Sequence, residues 1–485
     1  MNKELRRLSV VILAMFIALF GATSWIQVVQ VDNLAQNPAN TRALYDAYQV
    51  QRGSIIADGA AIAYSVPSDD VYSFQRVYSD AAMWAPVTGY INPLLNSRTG
   101  LESAMNQELS GTSGSQFLQR LDQIITGQKP QGSSVATTLL PRAQKAAWDA
   151  LQGYEGAVIA IEPSTGRILA MVTTPSFDTN LLAAHSSSEV NAAYDALNAD
   201  PLRPLSNRAI AGTLNPPGST FKLVVASAAL ASGRYTPEST FANPAQWQLP
   251  GSSDFIGNAG GGTCGPGETV TLADALRLSC NIPMAQLAVQ LGDNAIREEA
   301  EKYGFNSSFT MPLESTASTY PRALEDAPTA LTGFGQGDVR ATPLQMAMVS
   351  AGIANGGTVM NPRMIDRVIA PDLSVQQTFD NSEFSTALSE KDAATMTQMM
   401  VANVQNGVAS GARIEGIEVA GKTGTAENGA TAPYTLWFTG FAPADDPQVA
   451  VAVVLENGAG RGQQGGSNLL ASPIGKAVME AVLER

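Results

Sequence analysis

Histidine is nearly absent from this chain: in 485 residues it occurs once, at His185, inside a Ser-rich run. A single imidazole argues against a His-rich metal site, and it excludes a Ser-His-Asp triad unless His185 itself is the base. The simplest reading of His185 is a solvated loop residue. Basic side chains are also scarce, with 29 Lys and Arg against 43 Asp and Glu, a formal net charge of -14. With no basic stripe to displace counterions from phosphates, nucleic acid is not an expected partner. Charged residues make up only 15% of the chain and hydrophobic ones 45%, a balance that leaves little room for extensive disorder. At this length one domain is too few, and an anchor with two or three folded units is expected.

The anchor is legible at the N-terminus. Lys3, Arg6 and Arg7 precede a mostly apolar stretch over residues 8–31, long enough to cross a bilayer core at about 1.5 Å per residue. Leading basic residues place the N-terminus in the cytoplasm and the rest of the chain outside it. A cleaved signal peptide fits less well, because Trp25, Ile26, Val28 and Val29 extend the apolar run and no Ala-x-Ala site follows. Outside the cytoplasm Cys264 and Cys280 can pair. Closing a loop of about 15 residues stabilises by roughly 3 kcal/mol; the alternative is two buried free thiols.

The chain is expected to divide into an anchor (residues 1–31), a small extracytoplasmic module (32–140) and a large domain (141–485). In the module, Asp58-Gly59 reads as a tight turn between strands, and the Pro, Gly and Ser of residues 129–134 read as a linker. In the large domain, residues 157–161 and 168–172 form a predicted hairpin, residues 436–441 and 449–455 a second strand pair, and residues 473–483 a closing helix. Residues 223–231, 272–278, 283–291 and 343–354 are predicted helices. Strands from both ends with helices between them predict an α+β domain, one antiparallel sheet covered by helices.

Three short stretches carry candidate chemistry. Pro216-Pro217-Gly218 leads into Ser219-Thr220-Phe221-Lys222 at the start of a predicted helix. A spacing of three puts the Ser219 hydroxyl and the Lys222 amine on one face, and free N–H groups at a helix start favour developing negative charge. Taken singly, this is equally an N-capping serine before a solvated lysine. Ser279-Cys280-Asn281 lies at a helix junction, where Ser and Asn are common stops; as chemistry, Ser279 relays a proton beside Lys222 and the Asn281 amide holds a peptide group. Residues 419–426 read as a strand in which Gly421 and Gly424 admit a close neighbour. Such an edge can take up a peptide, with Lys422 supplying charge, Thr423 and Thr425 offering hydroxyls around Gly424, and the backbone N–H groups of Ser219 and Thr425 forming an oxyanion hole. Alone it would be a Gly-rich bend.

Together and in this order, the three resemble the motifs of the penicillin-binding protein and serine β-lactamase superfamily. The resemblance spans residues 156–485: Ile161-Glu162-Pro163, Pro175-Ser176-Phe177-Asp178, Asn207-Arg208-Ala209, Gly335-Gln336-Gly337, Thr342-Pro343-Leu344-Gln345 and Ala354-Asn355-Gly356-Gly357 are similar to transpeptidases rather than to typical β-lactamases. Arg52-Gly53 through Asp58-Gly59 resembles, in degenerate form, the Arg-Gly-x-Ile-x-Asp signature of class B members, and the overall organisation resembles the penicillin-binding protein A type of actinobacteria.

The resemblance implies acyl transfer through Ser219: attack on the penultimate carbonyl of a D-Ala-D-Ala stem peptide, loss of D-Ala, and capture of the acyl group by an amine of a neighbouring stem. Lys222 accepts the serine proton only while neutral, so burial and Lys422 must lower its pKa from near 10.4. β-Lactams are expected covalent inhibitors, no cofactor or metal is called for, and a membrane glycan polymerase is the partner that class B organisation implies. Two rivals remain open. A D,D-carboxypeptidase would use water in place of the amine, and a non-catalytic scaffold or β-lactam sensor would need none of the chemistry.

Overall fold

The computed structural model describes residues 2–30, 49–113 and 131–484. The expected boundary at residues 31 and 32, and residues 129 and 130 of the expected linker, lie outside them. Helix Asn2–Ser24 passes into a π-helical turn, Trp25–Val29. The 27-residue run Lys3–Val29 buries none of its most apolar window in the protein. At about 1.5 Å per residue it extends about 40 Å, more than the ~30 Å hydrocarbon core, so it is long and apolar enough to span a membrane.

The first folded module is built on a six-stranded sheet in the order Val375–Thr378, Ile365–Ile369, Ser134–Thr137, Ile55–Ala57, Ala60–Pro67, Phe74–Tyr78. Asp58 and Gly59, with φ of 46° and 82°, make the tight turn between the third-last and second-last of these strands. The end strands at residues 365–378 arrive from more than 220 residues downstream of Thr137, so the sheet crosses the boundary drawn at residue 140. The Gly-Ser stretch at residues 132–134 is not a free spacer: a Cβ on Gly132 would lie 1.8 Å from Leu109 O, and Ser134 begins a sheet strand. Arg52, 4% exposed, meets Glu102 at 2.8 Å, and Arg76 meets the same carboxylate at 2.6 Å. Burial would raise the Glu102 pKa, but Arg76 and Arg52 outweigh it and hold it below the usual range. The Arg-Gly signature is thus a buried charge centre beside a backbone contact, since a Cβ on Gly53 would lie 1.9 Å from Ser133 O.

The second unit is a five-stranded antiparallel sheet ordered Ala420–Ala426, Thr435–Ala442, Val449–Leu455, Gly156–Ile161, Ile168–Thr174. Side chains alternate faces along a strand. Val158, Ala160, Val451 and Val453 therefore pack on one side with Ala143, Ala147, Leu470 and Val478, whereas Ala157, Ile159, Ala450 and Ala452 pack on the other with Leu223, Val224, Met346 and Met400. Both faces are covered, which is why these strands read as nearly unbroken apolar runs. The terminal helix is longer than expected, Ser467–Leu483, with Pro473 inside it. A proline is best tolerated in a first helical turn, yet this helix begins six residues before Pro473, the expected start. His185 is also not solvated. Its side chain is 12% exposed, hydrogen-bonded to Asp70 of the other module and packed 4.7 Å from the Tyr72 ring, partners distant in sequence.

Candidate active site

The nucleophile turn is held from several directions. Trp437 Nε1 donates to Pro216 O at 2.9 Å, and Gly218 N donates to Gly335 O at 3.0 Å. Gly218–Phe221 forms a 3-10 turn that runs into helix Lys222–Ala231. Gly218 has φ of 53°, and an added Cβ would sit 2.9 Å from Thr425 O; only glycine lets the turn approach the strand this closely. Phe221 locks the helix start against Phe305 and Tyr320, with ring centroids 5.4 and 5.8 Å away. Ser219 stays half-buried while Gly218, Thr220, Phe221 and Lys222 are buried.

Lys222 is fully buried and its Nζ donates to Ser279 O at 2.7 Å, to Asn281 Oδ1 at 2.8 Å and to Ser279 Oγ at 3.3 Å. Among the described residues it makes no direct hydrogen bond to Ser219 Oγ, which its place one helical turn away leaves adjacent. Lys422, also fully buried, donates to Ser279 Oγ at 2.7 Å and to Thr423 O at 2.8 Å. No carboxylate pairs with either lysine among the described residues. Burial, and then the charge of Lys422, pushes Lys222 well below its ordinary range; burial takes Lys422 down to about 7. The Ser279 hydroxyl stands between the two amines.

Ser279 occupies that position in a left-handed conformation, φ 61°, which costs a non-glycine residue about 1–2 kcal/mol. The Cys264–Cys280 disulfide and the bond from Cys280 N to Ala275 O, 2.8 Å, hold the turn there. Asn243 in turn grips Cys264, accepting from its N–H at 2.8 Å and donating to its carbonyl at 3.0 Å. Asn281 spends its oxygen on Lys222 and one amide proton on Gly257 O, 3.1 Å, so the second amide proton is available to a ligand.

The strand Ala420–Ala426 is the sheet edge, paired only with Thr435–Ala442, and its other side faces the nucleophile turn. Gly424 is required there: a Cβ would lie 2.7 Å from Pro217 O and 3.0 Å from Thr220 N. Thr423 is buried and Thr425 exposed. The structure therefore brings Ser219, Lys222, Ser279, Asn281, Lys422, Thr423, Gly424 and Thr425 into one cluster around the nucleophile turn.

Sequence reasoning missed several members of it. Ser467 Oγ lies 2.8 Å from Thr425 Oγ1 and donates to Gly424 O at 2.6 Å; it was hidden by the misplaced helix start, although Gly465-Gly466-Ser467 is a reasonable helix entry. Asn258 Oδ1 accepts from the N–H groups of Asn281 and Ile282 at 2.9 and 3.1 Å, with no local sequence signal. Asn215, four residues before the nucleophile, donates to Glu456 Oε1 at 3.0 Å. Glu456 and Glu155 share Arg208, at 3.4 and 3.1 Å, which gives the Asn207-Arg208-Ala209 segment a physical role as a brace beneath the nucleophile loop.

A family model described as the penicillin binding protein transpeptidase domain matches residues 156–480, and one described as the penicillin binding protein A dimerisation domain matches residues 52–135. The chain is 42% identical to the peptidoglycan D,D-transpeptidase PbpA of Mycobacterium tuberculosis, with 100% of this chain and 99% of that protein covered. It is 41% identical to PbpA of Mycolicibacterium smegmatis over the same shares. The ceftriaxone acyl-enzyme complex of penicillin-binding protein A from M. tuberculosis superposes with a TM-score of 0.88 at 42% identity, covering 91% of this chain and 100% of that one. Its penicillin G acyl-enzyme complex gives 0.85, over 90% and 100%. With three-motif geometry, sheet architecture and sequence all agreeing, the chain belongs to the penicillin-binding protein transpeptidase family.

Proposed function

We propose that this protein is a peptidoglycan D,D-transpeptidase that cross-links stem peptides through an acyl-enzyme on Ser219 and is inhibited covalently by β-lactams. The observation that carries the assignment of roles is the Ser279 hydroxyl placed between two buried lysines that have no carboxylate partner among the described residues. Depressed pKa values make a neutral amine available at neutral pH. Lys222 in its neutral form has a lone pair for the Ser219 proton; apo contacts of this kind commonly tighten only when substrate is bound. The Ser219 Oγ–C bond forms as the C–N bond of the terminal D-Ala breaks, and the proton passes from Lys222, through Ser279, to the departing amine. The acceptor amine then forms the new C–N bond, the ester breaks, and its surplus proton returns to Ser219. In this reading the backbone N–H groups of Ser219 and Thr425 hold the oxyanion, the free amide proton of Asn281 the donor's peptide carbonyl, and Lys422 with Thr423 and Thr425 the terminal carboxylate.

The N-terminal helix anchors the protein in the cytoplasmic membrane with the folded units outside, a setting that suits the Cys264–Cys280 disulfide. A membrane glycan polymerase, the partner that class B organisation implies, would be met through the anchor and first module.

Mass spectrometry after exposure to penicillin tests the reading: one adduct mapping to Ser219, absent in Ser219→Ala, is expected, and an unmodified chain refutes it. Incubation with a donor stem and an amine acceptor should give cross-linked product; D-Ala release alone would assign a carboxypeptidase.

A further inference from the structure

A serine at a helix start ordinarily caps its own helix. Ser467 does not: Gly466 holds the cap position of Ser467–Leu483, and the Ser467 hydroxyl, on a residue 4% exposed, turns across to the strand Ala420–Ala426 instead. There it donates to Gly424 O at 2.6 Å and lies 2.8 Å from Thr425 Oγ1. The helix start is itself tied down by the next residue, since Asn468 Oδ1 accepts from Gly411 N at 2.6 Å and Asn468 Nδ2 donates to Ser410 Oγ at 3.1 Å. Ser467 is therefore a fixed point against which Thr425 is held.

Counting protons orients the pair. A hydroxyl carries one proton and a carbonyl only accepts, so the Ser467 proton lies on Gly424 O. The Thr425 proton then lies on Ser467 Oγ, because two oxygens 2.8 Å apart with no proton between them would set lone pair against lone pair. Thr425 is exposed, and this is the one hydrogen bond its side chain makes among the described residues. In this arrangement its hydroxyl presents lone pairs, not a proton, to an arriving group. A carboxylate is acceptor-only and needs the proton. Turning Thr425 alone would leave Ser467 Oγ facing a bare oxygen. Turning both keeps every contact paired, with Ser467 donating to Thr425 and Thr425 to the carboxylate. A neutral bond to Gly424 O is exchanged for a charge-assisted one, the stronger kind, and the inner donor polarises the outer one.

We propose that Ser467 is a positioning residue for the donor's terminal carboxylate, acting through Thr425: the two hydroxyls form a reversible pair, directed onto Gly424 O in the structure and turned onto the carboxylate when it binds. The proposal deepens the transpeptidase reading above and rests on it for the source of the carboxylate. Ser467 meets no substrate atom itself. It sets how well Thr425 donates, and so bears on ligands that carry the carboxylate and spares those that do not.

The experiment compares penicillin G with its methyl ester, which keeps the ring and loses the charge, by stopped-flow acylation of the full chain in detergent over a range of probe concentrations. Ser467→Ala should slow acylation by the acid about fivefold, the order of one net hydrogen bond, through the half-saturating concentration and not the limiting rate. Acylation by the ester should change less than about twofold. Ser467→Thr keeps the hydroxyl and should stay within about twofold of the parent for both probes. In a Thr425→Val background, where the outer hydroxyl is already gone, Ser467→Ala should cost less than a further twofold or so, a comparison that holds even if the single variant melts early. Equal losses for acid and ester, tighter binding of the acid by Ser467→Ala, or an undiminished loss in the Thr425→Val background overturns the proposal. A parent chain that neither probe acylates would instead refute the acyl-transfer reading; equilibrium binding of acid and ester to that chain, followed by tryptophan fluorescence, then reads the same contrast across the same variants.

Discussion

Replacing Ser279 with alanine removes the one hydroxyl that receives both buried lysines, from Lys422 at 2.7 Å and Lys222 at 3.3 Å. Lys222 keeps Ser279 O and Asn281 Oδ1, and Lys422 keeps Thr423 O, so the site should stay assembled while the path for a proton from Lys222 to the departing amine is cut. General acid–base catalysis contributes about 10²- to 10⁴-fold, equivalent to about 2.7–5.4 kcal/mol of barrier. The assay is the second-order rate of acylation by a fluorescent penicillin in stopped flow, with Tm measured alongside. Ser279→Gly provides the internal control. It lacks the hydroxyl as well, but at φ 61° glycine escapes a strain of about 1–2 kcal/mol, offset in part by its greater backbone entropy of roughly 0.5–1 kcal/mol. Both variants should lose acylation to the same extent, and the glycine variant should melt no lower than the alanine one. If Ser279→Ala acylates within threefold of the parent, or if Ser279→Gly recovers the rate, the hydroxyl is a structural cap and the relay is wrong.

Lowering pH should slow acylation as Lys222, the base, takes up a proton, its pKa being pushed well below the ordinary lysine range by burial and by the charge of Lys422. For Lys422 the folded pKa lies below the unfolded one, so the unfolded chain binds the extra proton, and the Lys422 contribution to stability should rise with pH between about 7 and 10.5, by about 1.4 kcal/mol per unit; urea midpoints of the parent and Lys422→Met across that window measure it. Reducing the Cys264–Cys280 bond should lower stability by roughly 3 kcal/mol and slow acylation too, because Ser279 and Asn281 flank Cys280; an unchanged acylation rate after confirmed reduction would disprove the link. Arg208→Met leaves Glu155 and Glu456 facing each other without a counter-charge and should cost about 3 kcal/mol in denaturant unfolding, with partial recovery on adding Glu456→Gln, which removes one charge and keeps an acceptor for Asn215.

The candidate stretches are readable because each is a local device: a glycine that admits a close neighbour, a serine and lysine one helical turn apart, a strand edge bearing a charge. The hairpin at Gly156–Ile161 and Ile168–Thr174 and the strands Thr435–Ala442 and Val449–Leu455 were readable for a similar reason, since a sheet buried on both faces leaves uninterrupted apolar runs. His185 shows where this ends. Its neighbours in sequence are serines, and nothing among them announces Asp70 or Tyr72 from the other module.

By itself, the sequence determined the apolar N-terminal segment, the α+β pattern and which side chains could do chemistry, because periodicity, turn residues and short spacings act within a few residues. Only the tertiary structure decided that Ser279 lies between two lysines 200 positions apart in the chain, that residues 365–378 complete the first module's sheet, and that Glu456 braces the nucleophile loop. Desolvation and hydrogen bonding act through space, and a chain carries no local mark of which distant segment will exclude water from it.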